Sequence, residues 1–239
     1  MSSKIETLHC EETSLGLLCL RRREPADRPG LVVTEVSLNY EFLMSSHVTA
    51  SERALARQAL ALHAGRGLDV LVGGLGLGYT AREALASERV RRVEVVELLS
   101  PVIDWLEQGL IPLADELQRD ARLVVTAADV YRRLLGPAER QHDLILIDVD
   151  HTPELPLASA NASFYTEAGL ERARSHLAPG GVLAVWSYAD STPFAAALRR
   201  VFADVRVEPI VVFNDLNGVE TTDWLFLARD PVAGASTAT

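Results

Sequence analysis

Short apolar runs alternate with helix-forming segments through most of the chain. Runs of four or five mainly apolar residues, typical of buried strands, occupy residues 68–72, 93–96, 122–126, 143–147 and 182–186. The segments between them are rich in helix-forming residues or carry apolar residues at helical spacing. Strands that alternate with helices predict a parallel sheet joined by right-handed crossovers. We therefore expect an α/β protein with a Rossmann-like sheet and helices on both of its faces.

The beginning of the chain has a different pattern. Leu15–Leu20 and Leu31–Val36 are candidate strands, and the stretch between them contains two prolines and a glycine, which predict a loop. Residues 1–38 are therefore expected to form a small antiparallel β segment ahead of the main domain. Residues 39–50 predict an irregular connection to the first helix of that domain.

The end of the chain predicts a hairpin. Val205–Phe213 and Trp224–Ala228 are candidate strands, and Asn217-Gly218 between them is a turn signal. With this hairpin the main domain, residues 39–230, would contain a mostly parallel seven-stranded sheet with one antiparallel edge. Residues 231–239 are small and polar, and they predict a disordered tail.

Composition narrows the class of protein. The 239 residues are 48% hydrophobic and 23% charged, as in a soluble globular protein, and the net charge of −10 argues against a nucleic-acid-binding surface. No apolar run is long enough to span a membrane and the first residues do not resemble a signal peptide, so we expect a cytoplasmic protein. Cys10 and Cys19 are expected to be reduced, and neither cysteine nor histidine spacing predicts a metal site.

A glycine-rich turn between the first strand of the main domain and the next helix is the strongest functional signal. It contains Gly73, Gly74, Gly76 and Gly78, and about 24 residues after its first glycine the next strand ends in Glu97. Glycines let the backbone approach a ligand closely, and an acid at the next strand end binds ribose hydroxyls. The spacing predicts a nucleoside site. S-adenosylmethionine or a relative fits at least as well as a dinucleotide, and a purely structural turn is the alternative.

Polar residues at two further strand ends are candidate ligands. Asp148, Asp150 and His151 follow the fourth strand, where ligands bind in open parallel sheets. Asp148 is the candidate reacting group, and capping or holding a loop is its alternative role. Asp129 either caps the following helix or accepts a hydrogen bond from an adenine amino group. His47 either reaches a ligand above the glycine turn or is a hydrogen-bonded structural histidine.

From about Tyr40 to Arg229 the chain resembles the spermidine synthases, the polyamine aminopropyltransferases built on the class I S-adenosylmethionine-dependent methyltransferase fold. The resemblance is carried by motifs in register, namely GGLGLG, Arg82-Glu83, Val96-Glu97, Val102-Ile103 and Phe164-Tyr165. It implies that S-adenosylmethionine or its decarboxylated form is the co-substrate and that a small-molecule amine is the acceptor. It also implies a homodimer.

The resemblance further implies a role for each matching residue. Glu97 would bind the ribose and Asp129 the adenine, and Asp148 would be the catalytic aspartate. Asp150 or His151 would take the place of the family's second acid at the substrate, and His47 is a candidate substrate ligand by its position alone. The catalytic aspartate positions an amine and helps to remove its proton, because an amine of pKa ~10 is mostly protonated at neutral pH.

Three departures from the family pattern concern the substrate. Gly76 stands where the family has an aspartate that holds the donor's amine, and Leu99 stands where an acid is usual. The family's D-S-S-D-P-like motif reads DVDHTP at residues 148–153. These changes keep three alternatives open: a methyltransferase acting on a small molecule, a catalytically silent nucleoside-binding homologue, and an NAD-dependent oxidoreductase.

Overall fold

The computed structural model describes residues 4–230, which form two sheets and seven α-helices. The strands are β1 (Lys4–Thr13), β2 (Gly16–Glu24), β3 (Val33–Leu38), β4 (Glu41–Ser45), β5 (Leu68–Gly73), β6 (Val90–Glu97), β7 (Leu123–Ala127), β8 (His142–Ile147), β9 (Leu177–Ser187), β10 (Asp204–Asn214) and β11 (Val219–Arg229). The helices are α1 (Ala50–Leu62), α2 (Tyr79–Leu85), α3 (Ser100–Glu107), α4 (Ala114–Arg119), α5 (Val130–Leu135), α6 (Glu167–Ser175) and α7 (Thr192–Val201). The predicted tail, 231–239, lies outside the described residues.

The main sheet confirms the predicted fold class. Its strand order is β10-β11-β9-β8-β5-β6-β7, the five strands from β9 to β7 are parallel, and β11 is antiparallel to both of its neighbours. Alternate residues of β5 belong to two separate hydrophobic cores: Val70 and Val72 pack with α1 to α3, and Leu71 packs with α5 to α7. Helices therefore cover both faces, and the chain reverses its winding direction between β5 and β8.

The N-terminal sheet has four antiparallel strands in the order β1-β2-β3-β4 and extends to Ser45. The two predicted strands are confirmed as β2 and β3, but the irregular connection expected over residues 39–50 was wrong, because β4 occupies Glu41–Ser45. Most side chains of β1 are exposed, so this strand lacks the apolar alternation by which a strand is recognised. Leu20 and Val36 share one core with Leu55 of α1 and Trp105 of α3, so the small sheet packs onto the main domain.

Cys10 and Cys19 form a disulfide, which corrects the expectation that both are reduced. Antiparallel pairing of β1 with β2 places the two residues directly opposite each other, with 4.2 Å between their Cα atoms. Side chains of such a pair lie close enough to be bridged. The sequence did not predict β1, so it could not predict this register.

A short 3-10 turn at Ser159–Ser163 lies between β8 and α6, and α6 starts at Glu167. Thr166 sets this start, because its hydroxyl accepts a hydrogen bond from the amide of Gly169 at 3.1 Å. From residue 4 to residue 230, no helix is both long and apolar enough to cross a membrane.

Candidate active site

A cavity of about 560 Å³ lies at the carboxyl ends of β5, β6 and β8, beneath the N-terminal sheet. One part of its lining is apolar and includes Leu18, Val36, Met44, Leu99, Val102 and Trp105. Its acidic and histidine residues are Glu41, Glu52, Glu97, Asp148, His151 and Asp223. The cavity is therefore at the strand edge where the sequence predicted a ligand site.

The glycine turn forms one wall of this cavity. Gly74, Gly76 and Gly78 line it and have positive φ angles of 92°, 50° and 87°, which favour glycine. A Cβ on Gly74 would lie 2.3 Å from the backbone oxygen of Asp148, so only glycine fits there. Gly73 is the last residue of β5, and its carbonyl accepts a hydrogen bond from the amide of Asp148 at 3.0 Å. The turn is thus held against the end of β8.

Glu97 fixes the glycine turn to the end of β6. One of its carboxylate oxygens accepts a hydrogen bond from the amide of Leu75 and the other accepts one from the amide of Leu99, both at 2.8 Å. Burial raises the pKa of Glu97, and these backbone donors oppose that effect. Each carboxylate oxygen can accept a further hydrogen bond. Glu97 lines the cavity, so its free acceptor positions suit a pair of hydroxyl groups.

Asp148 lies directly after β8 and is partly exposed to the cavity. Its Oδ2 accepts a hydrogen bond from the hydroxyl of Thr80 on α2 at 2.6 Å. Burial raises the pKa of Asp148 to about 6, the Thr80 hydroxyl opposes this effect, and the nearby Asp223 adds to it. A carboxylate with this pKa is ionised at neutral pH and is a better proton acceptor than an ordinary aspartate.

Two more carboxyl groups join Asp148, and the sequence predicted neither. Glu52 is in the first turn of α1, where burial first and then Asp148 raise its pKa to about 8. Asp223 is in β11, and burial raises its pKa as well. The sequence does contain a signal for Asp223, because this residue directly precedes the predicted strand Trp224–Ala228 of the antiparallel hairpin. The beginning of an antiparallel strand lies at the carboxyl edge of its parallel neighbours. Trp224 indeed pairs with Ser187 at the end of β9.

Asp150 is placed outside the cavity lining and is only 2% exposed. Its two oxygens accept hydrogen bonds from the amide of Leu157 at 2.7 Å, the side-chain amide of Asn161 at 3.0 Å and the hydroxyl of Tyr165 at 2.8 Å. These contacts anchor the loop after β8, whose residues His151 and Leu157 do line the cavity. The predicted substrate contact of Asp150 stays a prediction.

Asp129 and His47 are also engaged elsewhere. Asp129 caps α5 through hydrogen bonds from the amides of Tyr131 at 2.9 Å and Arg132 at 3.1 Å. His47 lies 2.5 Å from Asp215, in the turn between β10 and β11. The adenine contact of Asp129 and the ligand contact of His47 stay predictions. In the described part of the chain, no group of three or more Asp, Glu, His or Cys residues is arranged to hold a metal ion.

Sequence comparison relates the chain to polyamine aminopropyltransferases, although no protein-family model matches it. It is 32% identical over 167 residues to polyamine aminopropyltransferase 2 of Pseudomonas aeruginosa, a match that covers 66% of this chain and 47% of that protein. With polyamine aminopropyltransferase 2 of Streptomyces coelicolor the identity is 34% over 119 residues, 48% of this chain and 21% of the relative. The chain thus spans less than half the length of these curated relatives.

Solved structures give the same relationship at the level of the fold. A spermidine synthase in complex with the transition state analogue AdoDATO superposes with a TM-score of 0.74 at 19% identity, over 95% of this chain and 74% of the other. Spermidine synthase from Thermotoga maritima gives 0.71 at 18% identity, over 95% and 73%. Human methyltransferase-like protein 13 in complex with SAH gives 0.54 at 21% identity, over 79% and 82%. The similarity predicted from the motifs is confirmed: the chain is similar in sequence to polyamine aminopropyltransferases, and it has the class I methyltransferase-type fold that the spermidine synthase structures share.

Proposed function

We propose that the protein is an aminopropyltransferase that moves the aminopropyl group of decarboxylated S-adenosylmethionine to a small-molecule amine. The observation that carries this proposal is the position of Asp148, at the end of β8 beside the glycine turn, in a cavity that Glu97 also lines. The similarity to polyamine aminopropyltransferases over 167 residues supports it independently.

The reaction needs little from the protein beyond alignment and proton transfer. The sulfonium of the donor activates the adjacent carbon, a new bond forms between that carbon and the acceptor nitrogen, and the carbon–sulfur bond breaks to leave neutral methylthioadenosine. Asp148 accepts the proton that the attacking nitrogen must lose. The hydrogen bond from Thr80 leaves the second oxygen of Asp148 free to contact that amine. Holding amine and donor in line supplies much of the rate increase.

Binding of the nucleoside half would depend on the glycine turn and Glu97. Glu97 supplies acceptors for the ribose hydroxyls, and the backbone of Gly74, Gly76 and Gly78 lies in the same wall. Because two amides already orient the Glu97 carboxylate, its geometry does not have to change when a ribose binds. We further propose a homodimer in the cytoplasm, which the family resemblance supports; equilibrium sedimentation tests the dimer.

One observation favours methyl transfer from intact S-adenosylmethionine as the second candidate. A Cβ on Gly76 would lie 2.8 Å from the sulfur of Met44, so the side chain of Met44 fills the space next to this glycine. Position 76 therefore has no acidic side chain that could hold the amine of a decarboxylated donor. Asp148 would serve as the base in either reaction.

Turnover with each donor distinguishes the candidates. Purified protein is incubated with decarboxylated or intact S-adenosylmethionine and a panel of amines, and methylthioadenosine and S-adenosylhomocysteine are quantified. We expect methylthioadenosine from the decarboxylated donor and a loss of at least about a hundredfold in Asp148→Asn. Glu220→Gln serves as the control, because it removes the same charge from an exposed side chain. An Asp148→Asn variant with full activity would overturn the assignment, and S-adenosylhomocysteine as the product would favour methyl transfer.

A further inference from the structure

The glycine turn holds the main chain of Asp148 in place. The amide of Asp148 donates a hydrogen bond to the carbonyl of Gly73 at 3.0 Å, and its own carbonyl oxygen packs against Gly74, where a Cβ would lie 2.3 Å away. With the backbone held on both sides, the remaining freedom of Asp148 is the rotation of its side chain. That rotation decides which way each carboxylate oxygen points.

A single side-chain hydrogen bond restricts this rotation. Oδ2 of Asp148 accepts it from the hydroxyl of Thr80 at 2.6 Å, a distance typical of a hydroxyl that donates to an ionised carboxylate. Across residues 4–230, no other side chain donates to Asp148. Thr80 is itself buried, and a hydrogen bond in such surroundings is stronger than one in water.

Thr80 bonds outside its own helix. It is the second residue of α2, and threonine is a weaker helix former than alanine or leucine. A threonine hydroxyl near a helix start commonly bonds a backbone group of the same turn. This hydroxyl instead contacts Asp148, 68 residues further along the chain, and the carbonyl of Glu52 at 3.4 Å is its other acceptor. A hydroxyl donates one proton, and the much shorter contact assigns that proton to the carboxylate.

The hydroxyl also acts against the other influences on the ionisation of Asp148. Burial and the carboxyl group of Asp223 both raise the pKa of Asp148, and Thr80 opposes them. From residue 4 to residue 230, no lysine or arginine lines the cavity. The titratable side chains that line it from the elements around Asp148 are Glu52 of α1, Tyr79 of α2, Glu97 of β6, His151 of the loop after β8, Tyr188 after β9 and Asp223 of β11.

We propose that Thr80 is a positioning residue for the transfer reaction: its hydroxyl holds the carboxylate of Asp148 in the orientation in which the second oxygen faces the attacking nitrogen. The inference rests on the proposed function and adds to it a residue that acts through Asp148. A hydrogen bond to the charged form of an acid also favours that form. Loss of the hydroxyl should therefore change both the orientation and the ionisation of Asp148.

Three single variants isolate the hydroxyl group. Thr80→Val replaces it with a methyl group of similar size, and Thr80→Ser keeps the hydroxyl and removes the methyl group. Thr126→Val is the matched control, because Thr126 also donates to a carboxylate, that of Glu94 at 3.3 Å, but lies outside the cavity lining. A thermal unfolding curve for each variant verifies that it is folded.

Carbon-13 NMR measures the ionisation of Asp148 without any turnover. The intact protein is labelled at its aspartate carboxyl carbons, and the resonance of Asp148 is the one that disappears in Asp148→Asn. We expect Thr80→Val to raise the pKa of Asp148 by about one unit, because the ionised form loses its hydrogen bond. Thr80→Ser and Thr126→Val should change this pKa by less than about 0.3 unit.

Turnover with decarboxylated S-adenosylmethionine and a saturating amine measures the effect of orientation. At a pH where Asp148 is ionised in both proteins, kcat of Thr80→Val should be about tenfold lower than that of the parent protein. The KM for the donor should change less than about twofold, because the glycine turn and Glu97 are unaltered. The acidic limb of the kcat–pH profile should move to higher pH by about one unit. Thr80→Ser should behave like the parent protein in all three respects.

The two measurements separate a failure of this inference from a failure of the proposed function. An active parent protein whose kcat is unchanged in Thr80→Val, or falls equally in Thr126→Val, would overturn the inference and leave the activity standing. An unchanged pKa of Asp148 in Thr80→Val would overturn it as well. If that pKa rises as expected but the parent protein gives no product with any donor and amine, the proposed function is wrong, and the role of Thr80 in transfer falls with it.

Discussion

Replacing Glu52 with glutamine should make the ligand-free protein more stable at high pH. In the fold, burial and the neighbouring Asp148 raise the pKa of Glu52 from 4.5 to about 8, and Asp223 and the Ser51 hydroxyl are the other polar groups facing it. Ionising Glu52 is therefore harder in the folded chain than in the unfolded one. The resulting penalty is small below pH 4.5, grows as the pH rises towards 8 and is constant above that value. Glutamine does not ionise, so Glu52→Gln removes this penalty.

The size of the effect follows from the two pKa values. A change from 4.5 to about 8 corresponds to at most about 5 kcal/mol of lost stability once the group is fully ionised in both states. Solvent in the cavity and shared titration with Asp148 reduce this amount, and we expect about 1–2 kcal/mol. In a chain of this length that corresponds to about 2–8 °C in Tm.

Urea unfolding at pH 5 and pH 9 measures the effect. At each pH we compare the free energy of unfolding of Glu52→Gln with that of the parent protein. The advantage of the variant should be about 1–2 kcal/mol larger at pH 9 than at pH 5. The control Glu220→Gln should stay within about 0.5 kcal/mol of the parent at both pH values. A Glu52→Gln variant that is equally or less stable at pH 9 would show that Glu52 is solvated or paired, and the reasoning about an uncompensated cavity carboxylate would fail.

Three further predictions concern the donor site, a helix cap and the disulfide. The double variant Gly76→Asp/Met44→Ala should prefer decarboxylated over intact S-adenosylmethionine about tenfold more strongly than Met44→Ala alone does. Unchanged donor affinities would show that position 76 does not face the donor's tail. Asp129→Ala should cost about 1 kcal/mol in urea unfolding through loss of the α5 cap, and a parallel loss of methylthioadenosine affinity would add the adenine contact. Thiol titration of the denatured protein should find no free thiol before reduction, and reducing Cys10–Cys19 should cost about 2–3 kcal/mol; two free thiols before reduction would contradict the pairing.

The fold class could be predicted from sequence because the central parallel strands are mainly apolar runs. Residues 70–72 and 144–147 are apolar and buried on both faces of the sheet, so their pattern does not depend on which neighbour they pair with. The edge strands β1 and β4 have exposed side chains and depend on pairing for their structure. Their formation, and with it the contact between Cys10 and Cys19, is a consequence of tertiary structure that local pattern does not carry.

The candidate site divides in the same way. The glycine turn and Glu97 belong to one continuous strand–turn–helix–strand pattern, and Asp148 follows the end of another strand. The fold class alone therefore brings them together. Glu52 and Asp223 come from a helix start and an antiparallel strand. Their arrival in the cavity depends on the register of β11 against β9 and on how α1 packs across the sheet, and sequence spacing specifies neither.

Asp148 and Asp150 show why acidic residue type alone does not identify the substrate side of the site. They are two residues apart, so an extended strand would direct both side chains to the same face. The strand ends at Ile147, however, and Asp150 turns into the loop, where backbone and side-chain donors satisfy both of its oxygens. Asp148 keeps one oxygen directed to the cavity, because Thr80 is its only hydrogen-bond donor from a side chain in the described structure. A carboxylate whose acceptors are all used supports the loop, and a carboxylate with unused acceptors and no cation nearby is the one available to a substrate.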